Sequence, residues 1–243
     1  MVLVDGSVVL WLWHGIADLS AVQIEQYQRS FSSSEKEYLR AIKAKRRTFE
    51  YVAGHHLIRQ MLEQLVPEWV AGMTVEHYRD EAPFLCGPNA ERLGFNLSHS
   101  GNSVCCAMTL DCSLGLDVEM PGRRRKYAEI AEIYFSPAEA QRIAQLPSSD
   151  QEAEFYRVWT LKESLVKAKR SGLDDEGLAM TFQPGTVGSN AAWHSYSFNI
   201  APLYFALSLS RSLSSPLTVQ QYRSGLPLQR LAQPDVDYYA PEL

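Results

Sequence analysis

The sequence lacks several features that would assign it to common classes of protein. Its four cysteines, Cys86, Cys105, Cys106 and Cys112, form no C-x-x-C pair, so a zinc site is not expected. The first apolar run, residues 8–13, is only six residues long, and no charged segment precedes it. We therefore expect neither a signal peptide nor a membrane span, and we predict a reducing, cytoplasmic location.

Charge is also modest. Charged residues make up 21% of the 243-residue chain, and the formal net charge is −5, which argues against a disordered acidic chain and a dedicated nucleic-acid binder. Apolar residues make up 46%, enough for a substantial core. Two local basic patches, residues 40–47 and 123–126, are either solvated helix faces or binding surfaces.

Periodicity and turn signals predict a mixed α and β chain. Residues 8–16 indicate a buried strand, and helices follow as far as about Leu65, where Pro67 ends them. Further helices are expected between about 126 and 172, then strands near 193–200, 204–210 and 218–222, and a loosely held tail after Pro234. The predicted helix caps are Ser20, Ser34 with Glu37, Ser136 with Glu139, and Ser149 with Glu152.

The middle of the chain predicts three strands, at 95–98, 103–110 and 114–119. A faint internal repeat is present, because helices followed by a strand, a turn and a strand occur at 99–110 and again at 199–209. If there are two subdomains, residues 111–113 form the best boundary.

The strand at 114–119 carries two carboxylates. Side chains alternate along a strand, so Gly115, Asp117 and Glu119 share one face, with the two acids about 7 Å apart. An apolar face can pack on the core while the acids occupy an open face, where Mg²⁺ would relieve their repulsion. Gly115 would let a ligand approach closely. The alternative is an ordinary exposed amphipathic strand.

The helix near 151–171 adds further charges. Its buried stripe is predicted to be Val158, Leu161, Leu165 and Ala168. Glu163 and Lys167 lie four residues apart on an adjacent face, and Lys162 lies about 100° around the helix from Glu163. These residues could supply a third metal ligand and a phosphate contact, or they could form an ordinary surface ion pair.

A third segment, Ser98-His99-Ser100-Gly101, lies at a turn between strands. Small hydroxyls, a glycine and a histidine there make a plausible anion cradle, although a simple turn histidine is the alternative. A Ser-His-Asp hydrolase is disfavoured, because Ser98 and His99 point apart on a strand and no nucleophile elbow is present.

Taken jointly, these motifs resemble the surfactin-type 4′-phosphopantetheinyl transferases. The family patterns are (F)N-[IL]-S-H-S-G, then G-[IL]-D-[IV]-E, then W-[ST]-x-K-E-[AS]-x-x-K, matched here by FNLSHSG, GLDVE and WTLKESLVK. The segment Phe135-Ser136-Pro137-Ala138-Glu139 also resembles the family's F-[ST]-x-x-E. The resemblance covers roughly a third of the chain, and its joint pattern is specific.

The resemblance implies an α+β fold, a pseudo-dimer of two similar α+β halves with the active site at their interface. We therefore predict an N-terminal subdomain, 1–112, on the nucleotide side of coenzyme A, and a C-terminal subdomain, 113–243, with the metal-binding acids and the catalytic helix. Of the residues matching family roles, the metal ligands are Asp117, Glu119 and Glu163; the catalytic residues are Glu163 and Lys167; the coenzyme A contacts are Arg46, Arg47, Ser98, His99, Ser100, Lys162 and Lys167.

Two departures stand out. His55 in Ala53-Gly54-His55 occupies a position where the family often has arginine. Glu81-Ala82-Pro83 replaces the family's usual G-K-P, so a lysine contact to coenzyme A is lost. Either the affinity for coenzyme A is lower, or other basic groups replace that contact.

The resemblance implies Mg²⁺-dependent transfer, with Mn²⁺ as an alternative, of the 4′-phosphopantetheine arm from coenzyme A to a serine of an apo acyl or peptidyl carrier protein, releasing 3′,5′-ADP. Partners would be coenzyme A and the carrier, with no nucleic acid or membrane, and the chain would be a monomer. Alternatives are a catalytically degenerate relative that only binds coenzyme A or a carrier, and a Mg²⁺-dependent phosphohydrolase on another fold. The basic run 123–126 could steer an acidic carrier.

Overall fold

The computed structural model describes residues 3–123, 125–170, 180–185 and 191–242, and it confirms a mixed α and β chain. The strands are β1 (Val8–His14), β2 (Thr74–Glu76), β3 (Phe84–Cys86), β4 (Leu93–Ser100), β5 (Ser103–Leu110), β6 (Leu114–Glu119), β7 (Thr181–Pro184), β8 (His194–Ile200), β9 (Leu203–Leu209), β10 (Thr218–Gln221), β11 (Gln229–Arg230) and β12 (Asp237–Glu242). The α-helices are α1 (Ala21–Gln28), α2 (Ser33–Ala41), α3 (Lys45–Leu65), α4 (Tyr127–Tyr134), α5 (Pro137–Gln145) and α6 (Gln151–Lys169).

The chain forms two compact units. The first comprises Met1–Cys112 and Leu213–Ala232, and the second comprises Ser113–Ser212 and Gln233–Leu243. The expected C-terminal subdomain, 113–243, therefore differs from the second unit. Residues 213–232 belong with the first unit because β10 pairs in parallel with β1, beside the antiparallel pair of β1 and β5.

The first unit contains a five-stranded sheet in the order β11-β10-β1-β5-β4. Its hairpin β4–β5 turns at Gly101, whose φ of 59° is in the left-handed region that favours glycine. Helix α3 lies close to this hairpin, since a Cβ at Gly54 would lie 3.3 Å from Leu97. Buried aromatic and aliphatic side chains, Trp11 and Met61 among them, fill the core between these elements.

The second unit contains a five-stranded sheet in the order β6-β9-β8-β12-β7. The expected loose tail after Pro234 is wrong, because β12 pairs antiparallel with both β8 and β7. Helix α6 buries the predicted stripe of Val158, Leu161, Leu165 and Ala168. Its expected end near residues 171 and 172 lies outside the described residues.

The two units share an order of elements. In each, a first strand is followed by helices, the last of them long, and later by a hairpin; β2 and β3 intervene before the hairpin in the first unit, and β7 does in the second. The first strand pairs antiparallel with the second strand of that hairpin, as β1 does with β5 and β6 does with β9. The faint repeat in the sequence thus corresponds to a repeated topology.

Two of the four predicted helix caps are correct. Ser20 and Ser136 cap α1 and α5, and Glu139 completes the second capping box. The cap of α2 is Ser32, with Glu35, and Ser34 instead donates a hydrogen bond to Glu76. Asp150 precedes α6 without a side-chain cap, so the signal from Ser149 and Glu152 is wrong.

No helix in the described ranges is both long enough and apolar enough to cross a membrane.

The first unit contains a half-buried histidine that should make stability depend on pH. The His56 ring stacks on Tyr27 at 3.8 Å, and its Nε2 lies 2.9 Å from the Tyr222 hydroxyl. Burial, and then the charge of Arg59, lower the pKa of His56 from 6.5 to about 4. The unfolded chain therefore takes up the proton first, so stability is complete above pH 6.5 and falls as the pH is lowered toward 4.

We expect this one group to remove roughly 3 kcal/mol of stability across that interval. Urea unfolding of the wild type and of His56→Gln at pH 7 and at pH 4.5 measures it. The variant should lose clearly less stability between the two pH values. An equal loss in the two proteins would contradict the assignment.

Candidate functional site

Three of the predicted coenzyme A contacts converge on one buried acid in the first unit. Glu50 on α3 is 6% exposed, and its Oε1 accepts a hydrogen bond from Arg46 Nε at 2.8 Å. Its Oε2 lies 3.5 Å from Arg47 Nη1 and 3.5 Å from His99 Nδ1. Arg47 also hydrogen-bonds to His99 Nε2. The structure thus brings Arg46, Arg47 and His99 together in what we call the Glu50 cluster.

The two serines beside His99 occupy the other face of β4. Ser98 and Ser100 are buried, whereas His99 is exposed, as alternation along a strand requires. Of these three residues, only His99 therefore projects on the side that reaches α3, and the anion cradle expected from them and Gly101 stays a prediction.

A pocket of about 850 Å³ lies beside the Glu50 cluster, within the first unit. Its cations are Lys43, Arg47 and Arg79, and its aromatic side chains include Tyr38 and Tyr78. The size and this combination of flat and positively charged groups suit a nucleotide-sized anion.

A buried chain of polar groups supports one wall of this pocket. His55 Nδ1 lies 2.6 Å from Glu35 Oε1, and His55 Nε2 lies 3.3 Å from Nδ1 of His77, which lines the pocket. Burial alone would raise the pKa of Glu35, but hydrogen bonds from His55 and Arg59 outweigh it and lower the pKa to about 2. Arg59, one turn beyond His55, thus places its guanidinium group against Glu35. Glu35 therefore keeps an arginine partner although residue 55, where the family often has arginine, is a histidine.

The second unit brings β6 and α6 into direct contact. A Cβ at Gly115 would meet the carbonyl oxygen of Ser164 and would lie 2.5 Å from the backbone nitrogen of Ala168. The face of β6 that carries Gly115 and Asp117 is therefore covered by α6, and Asp117 is only 4% exposed. The expected open face is wrong, since the glycine makes room for a helix backbone rather than for a ligand.

This contact assembles a charged site from the strand and the helix. Lys167 Nζ donates a hydrogen bond to Asp117 Oδ1 at 2.6 Å. Burial, and then the neighbouring Asp117 carboxylate, raise the pKa of Glu163, while Lys167 acts in the opposite direction. Asp117 and Glu163 are therefore close enough to repel each other, and the Lys167 ammonium attracts both carboxylates.

The acids do not form a ready-made metal centre. Within the ranges that the structure describes, no three His, Cys, Asp or Glu side chains are grouped closely enough to hold an ion. Glu119 is half-buried at the end of β6, where it pairs in register with Tyr204 on β9. The positive charge beside Asp117 is supplied by the Lys167 ammonium.

Lys162 has a different environment from the one that the resemblance implies. Its side chain is 1% exposed, and its Nζ lies 2.9 Å from Glu139 Oε2. It also donates to the carbonyl of Met180, and burial lowers its pKa. Because Glu139 caps α5, this buried ion pair joins α6 to α5 and leaves Lys162 poorly placed to contact a ligand.

The basic run after β6 lies on the surface. Arg123, Arg125 and Lys126 are exposed, while Arg124 lies outside the described residues. Lys126 forms an ion pair with Glu129 one turn along at 2.8 Å.

Sequence reasoning missed Glu50 and Arg59. A signal for Glu50 exists, because it lies four residues after Arg46 and three after Arg47 on a predicted helix, where such pairs meet. The link from Glu50 to His99 has no local signal, since it depends on how α3 packs against β4.

Comparison with known proteins points in one direction. The family model of the 4′-phosphopantetheinyl transferase superfamily matches residues 113–203. The 4′-phosphopantetheinyl transferase HetI of Nostoc sp. is 26% identical over 187 residues, which are 75% of this chain and 79% of HetI. The 4′-phosphopantetheinyl transferase Sfp of Bacillus subtilis is 28% identical over 64% of this chain and 67% of its own length. The 4′-phosphopantetheinyl transferase psf-1 of Bacillus pumilus is 32% identical over 62% and 63% respectively.

Proposed function

Because this chain belongs to the 4′-phosphopantetheinyl transferase superfamily and is a transferase of that family, we propose that it moves the phosphopantetheine arm of coenzyme A onto a serine of an apo acyl or peptidyl carrier protein. The product besides the loaded carrier is 3′,5′-ADP. The observation that carries this proposal is the site on β6 and α6, where Lys167 donates a hydrogen bond to Asp117 at 2.6 Å and where burial, and then the Asp117 carboxylate, raise the pKa of Glu163.

The nucleotide end of coenzyme A is assigned to the first unit. Its adenosine would occupy the pocket of about 850 Å³, and its 3′-phosphate would bind Arg46, Arg47 and His99. Arginine suits this role because its planar guanidinium can bind two phosphate oxygens at once. We leave Lys162 out of the coenzyme A contacts because it is buried against Glu139.

The pyrophosphate end is assigned to the second unit. Asp117, Glu119 and Glu163 offer hard oxygen donors of the kind that Mg²⁺ prefers, and Mn²⁺ accepts the same ligands. Burial, and then repulsion by Asp117, raise the pKa of Glu163, and a cation beside these two carboxylates would offset both effects. Such an ion would neutralise negative charge on the pyrophosphate, which is the chemistry it supplies when bound.

The residues of this chain then have separate tasks. The carrier serine attacks the β-phosphorus, the bond to the bridging oxygen of the pyrophosphate breaks, and 3′,5′-ADP departs with that oxygen. Glu163 takes the serine proton, a task for which a raised pKa makes it a stronger base. Lys167 is partly exposed, so its ammonium can reach the phosphate oxygens as negative charge grows on them.

The carrier is proposed to approach over the exposed cations Arg123, Arg125 and Lys126. Carrier proteins are acidic, and a local basic surface would attract them although the whole chain has a net charge of −5. A cytoplasmic location and a monomeric state remain predictions.

The function is tested with labelled coenzyme A, Mg²⁺ and a panel of apo carriers from fatty-acid, polyketide and peptide synthesis. Intact-protein mass spectrometry should show one phosphopantetheine arm added to at least one carrier. Tight binding of coenzyme A without carrier labelling would indicate a degenerate relative. Release of small products without labelling would indicate a phosphohydrolase, and either outcome would contradict transfer.

Arg79 is expected to compensate for the missing lysine at Glu81-Ala82-Pro83. It is exposed and lines the same pocket as Lys43 and Arg47. Arg79→Ala should raise KM for coenzyme A about tenfold and leave kcat nearly unchanged, because it removes one charged contact to the nucleotide. Steady-state kinetics with an excess of carrier measure both values. Arg29→Ala, an exposed change just after the end of α1 and outside the pocket, is the control, and equal kinetics for the two variants would exclude this role.

A further inference from the structure

Glu50 is an acid at the centre of a site that should bind an anion. Its side chain is 5% exposed, whereas the side chains of Arg46 and Arg47 are 70% and 40% exposed. Negative charge is rarely buried without a specific partner, and here two guanidinium groups and an imidazole surround it. A carboxylate in this position opposes phosphate binding by its charge, so its presence there needs an explanation. Its effect on the geometry of its neighbours provides one.

The contact with Arg47 bears on which ring nitrogen of His99 carries a proton. An arginine can only donate, so His99 Nε2 accepts from Arg47 and carries no proton in this arrangement. The ring proton is then on Nδ1, which lies 3.5 Å from Glu50 Oε2. Glu50 therefore lies on the side of the ring that carries the proton in this tautomer, where a carboxylate can orient a histidine.

Glu50 also restricts the two arginines. Arg46 Nε donates to Oε1, and Arg47 Nη1 lies near Oε2, so both guanidinium groups are directed toward the same side of α3. A free arginine side chain samples many rotamers, and part of that conformational entropy is lost on binding a ligand. A side chain already held by Glu50 loses less.

We propose that Glu50 is a positioning residue that orients Arg46, Arg47 and His99 for recognition of a phosphate on the 3′ side of the nucleotide. The proposal rests on the proposed function for the identity of the nucleotide. Glu50 would then be responsible for tighter binding of a ligand that has the 3′-phosphate than of one that lacks it.

Two effects of removing Glu50 have opposite signs, and they can be separated. Loss of its negative charge strengthens the attraction of any anion, whether or not a 3′-phosphate is present, and salt screens this effect. Loss of orientation weakens only the ligand whose 3′-phosphate contacts the Glu50 cluster. The ratio of the two affinities therefore reports positioning, while general electrostatic attraction largely cancels.

Calorimetry with adenosine 3′,5′-bisphosphate and adenosine 5′-monophosphate measures this ratio without requiring turnover. The wild type should prefer the bisphosphate at least about tenfold, and Glu50→Gln should reduce that preference about tenfold, the typical effect of one or two charged hydrogen bonds. Glu50→Asp, which keeps the charge, should retain part of the preference. Glu63→Gln, exposed on the same helix, should change nothing.

His99→Gln provides a second route if Glu50→Gln does not fold, since His99 is exposed. It should lose the same preference, and the double variant should lose no more than the larger single change. No preference in the wild type, or an unchanged preference in His99→Gln or Glu50→Gln, would overturn the proposal. If the wild type labels a carrier but the variants keep the wild-type preference for the bisphosphate, only the role of Glu50 fails. The proposed function then stands.

Discussion

Asp117→Asn should lower the rate of carrier labelling at least about 100-fold while the protein stays folded. Asp117 is buried, and its carboxylate holds Lys167 at 2.6 Å and repels Glu163. Asparagine keeps the shape of the side chain but removes the charge, so the proposed divalent cation would lose a ligand and the Lys167 ammonium would lose its partner. Intact-protein mass spectrometry at a range of Mg²⁺ concentrations gives the rate.

Stability should change little in this variant, by about 1 kcal/mol, because the Lys167 side chain is 29% exposed and can turn to water. Thermal unfolding checks this value. Asp111→Asn is the matched control, since Asp111 is an exposed acid of the turn before β6 that pairs with Arg92. A near-normal labelling rate for Asp117→Asn would remove Asp117 from the site.

Gly115→Ala should destabilise the second unit and impair transfer together. The added Cβ would meet the Ser164 carbonyl and the Ala168 nitrogen, which are backbone atoms that cannot rotate away. Separating β6 from α6 should reduce stability by about 3 kcal/mol, at the upper end for overpacking. It would also displace Glu163 and Lys167 from Asp117, and a displacement of about 1 Å can reduce a rate roughly 100-fold.

Gly122→Ala is the control for Gly115→Ala. A Cβ at Gly122 would meet nothing within 4 Å, so this variant should change stability by less than about 0.5 kcal/mol. Denaturant unfolding and labelling rates are measured on both variants. If Gly115→Ala were as stable and as active as Gly122→Ala, the close contact of strand and helix would have no role in the site.

The sequence predicts the elements of the second site well because their patterns are strong and local. Alternation along β6 places Asp117 and Glu119 on one face, and helical spacing places Glu163 and Lys167 on one side of α6. Alternation cannot predict which element packs against that face of β6. Asp117 was expected in the open, yet it is covered by α6, and only the clash of a Cβ at Gly115 with the helix backbone reveals why.

Competing local signals explain the wrong caps. The pattern serine-x-x-glutamate occurs at Ser32 with Glu35 and again at Ser34 with Glu37, so both caps are possible locally. The first is used because Glu35 is fully buried, with His55 and Arg59 as partners from α3. The strand β12 was missed for a related reason, since its partners β7 and β8 lie far from it in sequence.

The most direct test of the account is a double-mutant cycle between Asp117 on β6 and Glu163 on α6. In the proposed mechanism these two acids are parts of one phosphoryl-transfer site. Labelling rates are therefore compared for Asp117→Asn, Glu163→Gln and the double variant. We predict that the double variant is no slower than the slower single variant, because the first change already disables the shared site. Losses that multiply would contradict the account, since they would show that the two carboxylates act independently.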